Sequence, residues 1–409
     1  MEFKRLKLID PILKAIGEKG YENPTKIQAE AIPKILKRKD VLGIAQTGTG
    51  KTAAFAIPII QLIYRIDVKK GQTSSLRALI VTPTRELAIQ IDENIRDYNK
   101  YTGLTHTVIF GGVKQGAQVT QLKKGVQILV ATPGRLLDLI NQGFISLDDI
   151  KIFVLDEADR MLDMGFIHDI RKLIAILPKK RQTLFFSATM PDNIIDLSKK
   201  MLTEPERVEV ARKSSVVQTI SQYVYYTNQP EKTKLLSHIL GEIRNEQILV
   251  FARTKHGADR LVRSLKKFKF KAEAIHGNKS QNRRQQTLKN FKSEKTKILI
   301  ATDIAARGID ISGLKYVINY DVPNVPETYV HRIGRSGRAG EEGIAISISG
   351  PEENAYIKDI EKLTKNKLTQ IKDHPHPQTD RPMTAKEKKE WNKEKQRKKQ
   401  EFLQRRRKR

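Results

Sequence analysis

Residues Ala45-Gln46-Thr47-Gly48-Thr49-Gly50-Lys51-Thr52 put two glycines, an ammonium and three hydroxyls into one short stretch. They follow the apolar run 41–44 and lead into a helix-like run, 53–65. A strand, a glycine-rich loop and a helix start make a phosphate cradle. Gly48 and Gly50 let the backbone turn so that N–H groups point at phosphate oxygens. Lys51 can reach the β- and γ-phosphates, and the Thr52 hydroxyl can ligate Mg²⁺. Ala45 stands where the strict pattern has glycine, at a position that needs only a small residue. A second group, Asp156-Glu157-Ala158-Asp159, directly follows the apolar run 152–155. The carboxyl end of a buried strand is where open α/β sheets bind ligands. Asp156 suits Mg²⁺, directly or through water, and Glu157 suits positioning and polarising an attacking water.

Four weaker signals surround these two. Ser187-Ala188-Thr189 closes another apolar run and offers hydroxyls to the acidic cluster. His331-Arg332-Ile333-Gly334-Arg335-Ser336-Gly337-Arg338 sets cations among glycines. Arginines brought to a γ-phosphate stabilise charge that develops in phosphoryl transfer, with contributions of roughly 10³–10⁵ in rate. Asp310, in Ala305-Ala306-Arg307-Gly308-Ile309-Asp310, can accept a ribose hydroxyl. Gln28 falls on the first turn of a helix announced by Pro24 and Thr25. An amide there can pair with the donor and the acceptor of an adenine edge.

The elements that must position these groups are those of an α/β chain. Near-continuous apolar runs at 78–81, 108–110, 128–130, 152–155 and 184–186 alternate with helical stretches. Such runs suit strands of a parallel sheet covered on both faces. The pattern repeats at 248–252, 272–275, 298–301 and 317–319. Residues 3–20 read as a helix with an apolar face, and Pro58 predicts a kink or an early end to regular hydrogen bonding in the helix after the loop. The join falls near 210–217, short and polar. The expected division is residues 1–210, residues 218–370, and a basic tail at 371–409. Two α/β halves imply a cleft between them, so hydrolysis would require its closure. His374–Pro382, with three prolines, reads as a linker. Residues 384–409 carry an excess of about +9 and read as a disordered or nascent-helical arm, with Trp391 and Phe402 available for stacking.

Composition narrows the partner. Lys plus Arg number 76 against 46 for Asp plus Glu, a net charge of +30 that favours nucleic acid over a membrane surface. The absence of cysteine excludes disulfides and thiolate metal sites. No run is long enough to span a membrane, and residues 1–10 lack an apolar signal core. The cytoplasm is the expected location.

In their order these motifs resemble the DEAD-box RNA helicases, from Phe3 to about residue 360. Residues 20–28 resemble the Q motif, with Phe3 at its upstream aromatic position. Residues 45–52 resemble motif I, 156–159 spell the family name, 187–189 resemble motif III, 250–254 motif IV, 301–310 motif V and 331–338 motif VI. The resemblance implies two tandem RecA-like domains, each a parallel sheet with helices on both faces, with ATP between them. It implies that Gln28 reads adenine with Thr25, Phe3 and Tyr21 beside it. Residues Ala45, Gln46, Thr47, Gly48, Thr49, Gly50, Lys51 and Thr52 would hold phosphate and Mg²⁺. Lys51, Asp156, Glu157, Arg335 and Arg338 would carry catalysis, with Gly308 and Asp310 at the nucleotide. Ser187, Thr189, Asp159 and His331 would couple the domains. RNA would lie on Pro83, Thr84, Arg85, Gly111, Gly112, Thr132 and Arg135 of the first domain, and on Arg253, Thr254, Gly277, Arg284, Thr302 and Gly308 of the second. Glycines let phosphates approach, and arginines and hydroxyls bind phosphate and 2′-OH, so little sequence preference is expected. The phrases 156–170, 253–258 and 274–281 are similar to the RhlE-like bacterial branch.

Three functions remain open at this level. One is an RNA-dependent ATPase that separates short duplexes or remodels RNA–protein complexes. Another is an ATP-gated clamp that holds RNA, and the third is a DNA translocase. Ribosomal RNA or pre-ribosomes and an RNA-degradation complex are both compatible partners.

Overall fold

A computed structural model describes residues 2–46, 48–67, 75–210, 220–243, 245–306, 311, 313–337, 342–384 and 387. Thr47, Gly308, Asp310 and Arg338 lie outside the described residues, as do Trp391, Phe402 and most of the basic tail. The chain divides into two compact units that part at Lys213 and Ser214.

The apolar runs of the first unit become strands because a strand buried on both faces must be apolar at every position. These are β1 (Val41–Ile44), β2 (Ala78–Val81), β3 (His106–Ile109), β4 (Ile128–Ala131), β5 (Ile152–Leu155), β6 (Gln182–Ser187) and β7 (Glu206–Glu209). They form one parallel sheet in the order β3-β4-β2-β5-β6-β1-β7. Alternation then divides the side chains between two cores. Ile80, Val154 and Phe186 pack against Ile27, Phe55 and Ile91 on one face. Leu79, Phe153 and Phe185 pack against Leu136, Met161 and Leu173 on the other. β7, with its sequence Glu-Arg-Val-Glu, is a polar edge strand with no apolar run to announce it. The helix Lys51–Asp67 runs on through Pro58 rather than ending there.

The second unit repeats the plan with β8 (Ile220–Tyr226), β9 (Ile248–Phe251), β10 (Ala272–Ile275), β11 (Ile298–Ala301), β12 (Tyr316–Asn319), β13 (Gly343–Ser349) and β14 (Thr369–Gln370). Their parallel order is β10-β11-β9-β12-β13-β8-β14. Val250, Ile300, Ile318 and Ile348 pack on Leu236 and Leu261. Val224 and Ala345 pack on Tyr329, Ile333 and Ile357.

Residues 374–382 are no free linker. Beyond β14 the chain is tied along the sheet. Ile371 N–H donates to Val224 O and Gln378 N–H to Tyr226 O, while Asn228 Oδ1 accepts from Thr379 and Asp380 N–H. His374 lies edge-on to Tyr225, and Met383 N–H donates to Glu352. The prolines removed donors this strap does not need, because its bonds come from the residues between them. Among the described residues no helix is long and apolar enough to cross a membrane.

Candidate active site

The strand order explains which motifs can meet. In a parallel sheet all loops after strands leave from the carboxyl edge. Along that edge of the first unit, β6 follows β5 and β1 follows β6. The loop 45–50, Asp156 and Ser187 therefore become neighbours, and Ala45 N–H donates to Ser187 O at 3.0 Å.

The loop adopts the conformation its glycines allow, with φ of 81° at Gly48 and 94° at Gly50. A Cβ on Gly50 would lie 2.4 Å from Gln28 Nε2 and 2.9 Å from Thr25 Oγ1. Thr49 Oγ1 donates to Gln46 O at 2.7 Å, and Thr52 lies in the first turn of the following helix. Lys51 opens that helix, is buried, and its Nζ has no hydrogen-bond partner among the described residues. An unpartnered buried ammonium is costly. A cation that directly follows a glycine loop at a helix N-terminus is the complement of a phosphate.

Asp156 is wholly buried. Burial pushes its carboxyl up to about 7, against the pull of Lys51 and of the Glu157 N–H, with the Glu157 charge adding to the rise. Its Oδ1 accepts that N–H at 3.0 Å. Glu157 holds a left-handed conformation, φ 55° and ψ 50°, ahead of the helix Ala158–Asp163. Its carboxylate is ion-paired with Arg160 one helical turn on. Arg160 is a further residue of the site, and a cation three residues after an acidic group at a helix start is a legible pairing signal. Asp159 Oδ2 accepts from both the N–H and the hydroxyl of Thr189, each at 2.9 Å. Ser187 turns away from the acidic cluster and donates to Thr189 O at 2.7 Å.

Gln28 ties this site to the N-terminal elements. Its Oε1 accepts from Thr25 N–H at 2.9 Å and its Nε2 donates to Gly50 O at 3.1 Å. The amide thus bridges a helix cap and the phosphate loop. Phe3 is buried and stacks on Tyr21, centroids 6.3 Å apart.

The other half of the same edge, after β2, β4 and β3, gathers Pro83, Thr84, Arg85, Thr132, Arg135, Gly111 and Gly112. Thr84 caps the helix Arg85–Tyr98. The Arg85 guanidinium lies over Gly112, whose φ is 77° and where a Cβ would come within 2.1 Å of it. Arg135 Nη2 donates to Val113 O at 3.1 Å.

In the second unit, Arg253 and Thr254 follow β9, Gly277 follows β10 and Thr302 follows β11, again on one carboxyl edge. Thr254 caps the helix Lys255–Lys267, and Arg284 lies in the first turn of the helix Gln281–Lys292. Arg253 is engaged by protein groups: its Nη2 donates to Val322 O at 2.7 Å and to Glu353 at 2.8 Å. Glu353 in turn pairs with the fully buried Lys232 at 2.7 Å. His331 is exposed on the helix Pro326–Ile333, and Arg335 is buried just beyond it. Arg332, a member of the same array, is a structural cation: it grips Asp303 through Nε and Nη2 at 2.6 and 2.8 Å and lies over the Phe251 ring.

Two family models match the chain: DEAD/DEAH box helicase over residues 25–197, and helicase conserved C-terminal domain over residues 231–340. The DEAD-box ATP-dependent RNA helicase CshA of Geobacillus kaustophilus is 45% identical over 90% of this chain and 78% of its own length. The ATP-dependent RNA helicase CshA of Listeria monocytogenes is 44% identical over 90% and 69%. Among solved structures, S. cerevisiae Dbp5 bound to RNA and ADP BeF3 aligns with a TM-score of 0.78 at 32% identity, over 90% of this chain and 95% of that one. A DEAD box protein from the hyperthermophile Methanococcus jannaschii aligns at 0.52 and 41% identity, over 91% and 99%.

Proposed function

The chain belongs to the DEAD-box family of ATP-dependent RNA helicases, and from that premise we propose how its residues divide the work. One observation carries the proposal: the buried Lys51 ammonium, without a hydrogen-bond partner among the described residues, just after the Gly48–Gly50 turn. It fits the β- and γ-phosphates of ATP, with the backbone of 46–50 around them. Gln28 and Thr25 read adenine and Phe3 and Tyr21 support them. Thr52 and Asp156 supply oxygens of the kind Mg²⁺ takes, and the ion when bound neutralises charge on the transferring phosphoryl group. Glu157 holds the attacking water through its carboxylate. Arg335 and Arg338 stabilise charge on the departing phosphoryl group.

RNA lies on the residues after β2, β3 and β4 and on Arg253, Thr254, Gly277, Arg284 and Thr302. The crowded approach at Gly112 and the caps of Thr84 and Thr254 support a backbone-reading surface with little sequence preference. Ribosomal RNA and an RNA-degradation complex are proposed settings, and the cytoplasm the proposed location. The RhlE-like branch rests on the three phrases in residues 156–170, 253–258 and 274–281, beside relatives that carry the name CshA.

The test is ATP hydrolysis with and without RNA. Lys51→Ala and Arg338→Ala should each abolish RNA-stimulated turnover. Survival of stimulation in either variant would remove that residue from the reading. Strand release from a short duplex distinguishes unwinding from an ATP-gated clamp.

A further inference from the structure

The second unit carries a cationic surface at the opposite end of its sheet from the residues just discussed. Between Lys255 and Lys297 the sequence holds fourteen Lys and Arg against three Asp and Glu. All three acids are engaged: Asp259 with His276 and Lys279, Glu273 with Thr287, Asn290 and Thr296, and Glu294 with Lys297. The helix Lys255–Lys267 starts at the carboxyl end of β9 and runs back about 20 Å. It ends beside the amino ends of β10 and β11, immediately before Lys271 and Ala272.

How that helix stops decides what faces water. Phe270 N–H donates to Leu265 O and Lys269 N–H to Lys266 O, the paired bonds of a Schellman close. Lys269 takes the left-handed position, φ 65°, that glycine ordinarily fills. Phe270 packs inward against the core. Phe268 is left 42% exposed. Around it Lys266, Lys267, Lys269 and Lys271 are exposed and make no ion pair among the described residues. Lys289 is exposed on the helix behind. Clustered like charges repel one another and oppose folding, so this patch has no structural account of its own.

We infer that Lys266, Lys267, Lys269 and Lys271 with Phe268 form a second RNA-binding surface, one that takes the phosphate backbone of RNA extending past the carboxyl-edge site. Unpaired ammonium groups suit phosphates without base preference, and an exposed ring among them offers a stacking face to an unpaired base. Its position, a helix length from Thr254, means that only RNA longer than the carboxyl-edge footprint reaches it. The inference rests on RNA being the bound polymer, and the test separates it from the residue assignments above.

The experiment measures RNA affinity against salt for the full chain and for the quadruple variant K266Q/K267Q/K269Q/K271Q. Two RNAs are used: a short single strand, and the same strand extended by a duplex. On the extended RNA the variant should bind roughly ten- to a hundredfold more weakly, with a salt slope lower by about 3. On the short strand both proteins should bind alike. On a third RNA, the same strand extended by further single strand, Phe268→Ala should weaken binding, and on the duplex-extended RNA it should not. Unchanged binding of the extended RNA overturns the inference. So does an equal loss on both RNAs, which would mark a diffuse field, and so does retention of polyglutamate as tightly as RNA, which would assign the patch to acidic proteins. If Arg85→Gln leaves short-strand binding intact, the carboxyl-edge reading fails while the patch is still judged on the extended RNA.

Discussion

The carboxyl edges of the two sheets handle buried charge in opposite ways. In the first unit Lys51 is buried with an ammonium that donates to no described residue, and burial forces the neighbouring Asp156 toward its neutral form. In the second unit the buried cations Lys232 and Arg332 are already matched. Lys232 has Glu353 at 2.7 Å and Asp321 at 3.7 Å, and Arg332 has Asp303, Asn319 and the Asp321 carbonyl. A matched buried pair is finished structure, whereas an unmatched one is a site held ready for charge that arrives with a ligand. On the proposed reading, two sheets of the same strand order thus serve different ends: one would receive the nucleotide, the other fixes the elements that carry Arg253, His331 and Arg335.

That contrast predicts opposite signs for similar substitutions. Lys51→Met should reduce ATP turnover roughly 10²–10³-fold, since it removes a donor aimed at developing phosphate charge. Below about pH 6, where Asp156 is protonated and loses no counter-charge, it should also raise the melting temperature of the nucleotide-free protein, because a desolvated ammonium without a hydrogen bond is gone. Lys232→Met should do the reverse to stability. It strips a partner from the buried Glu353 and should cost about 3 kcal/mol, toward the lower end for a broken buried pair because Arg253 remains beside that carboxylate. Chemical unfolding monitored in the second unit measures it. If Lys51→Met destabilised the empty protein as Lys232→Met does, the proposed difference between the two edges would be wrong.

Acidity sharpens the comparison next. Asp156 has its folded-state carboxyl raised to about 7 by burial, well above the value of about 3.9 in an unfolded chain. Between these values the folded state holds a proton that the unfolded state has lost. Stability from this group is therefore complete at low pH and falls as pH rises from about 4 to about 7, at most by about 1.4 kcal/mol per pH unit. Melting temperatures of the nucleotide-free protein and of Asp156→Asn, followed across that window, should converge as pH falls and separate as it rises, with the wild type losing ground. Parallel curves would mean that Asp156 is ionised throughout.

The same contrast explains what could be read from sequence. β2, β4 and β5 were legible because strands buried on both faces must be continuously apolar, and the phosphate loop because positive φ at Gly48 and Gly50 demands glycine. β7 was hidden, since an edge strand needs no apolar run. The strap at 374–382 was mistaken for a linker because its prolines are visible while the bonds of Asn228 and Met383 are long-range. Lys232 and Arg332 illustrate the larger difficulty. A lysine or arginine in a helix reads as solvated, and only the fold brings Glu353 and Asp303 to it. Loop chemistry is local in sequence; charge matching is not.

The smallest effect tests a bond that belongs to the first edge but resembles the second. Asp159 is a matched group inside the receptive unit, accepting from Thr189 N–H and Oγ1 and from Arg160 N–H. Thr189→Val deletes only the hydroxyl donor, leaves two N–H donors on the carboxylate, and keeps the side-chain shape. The expected cost is about 1 kcal/mol of stability, since one of three hydrogen bonds is lost and the remaining two still satisfy the charge. Lys51, Asp156 and Glu157 keep their own contacts, so ATP turnover should stay close to wild type. If Thr189 and Asp159 couple the nucleotide site to work on RNA, duplex release per ATP hydrolysed should fall while hydrolysis persists. Loss of both activities in proportion would make the bond part of the nucleotide site itself, and loss of neither would leave it as matched structure of the kind that fills the second unit.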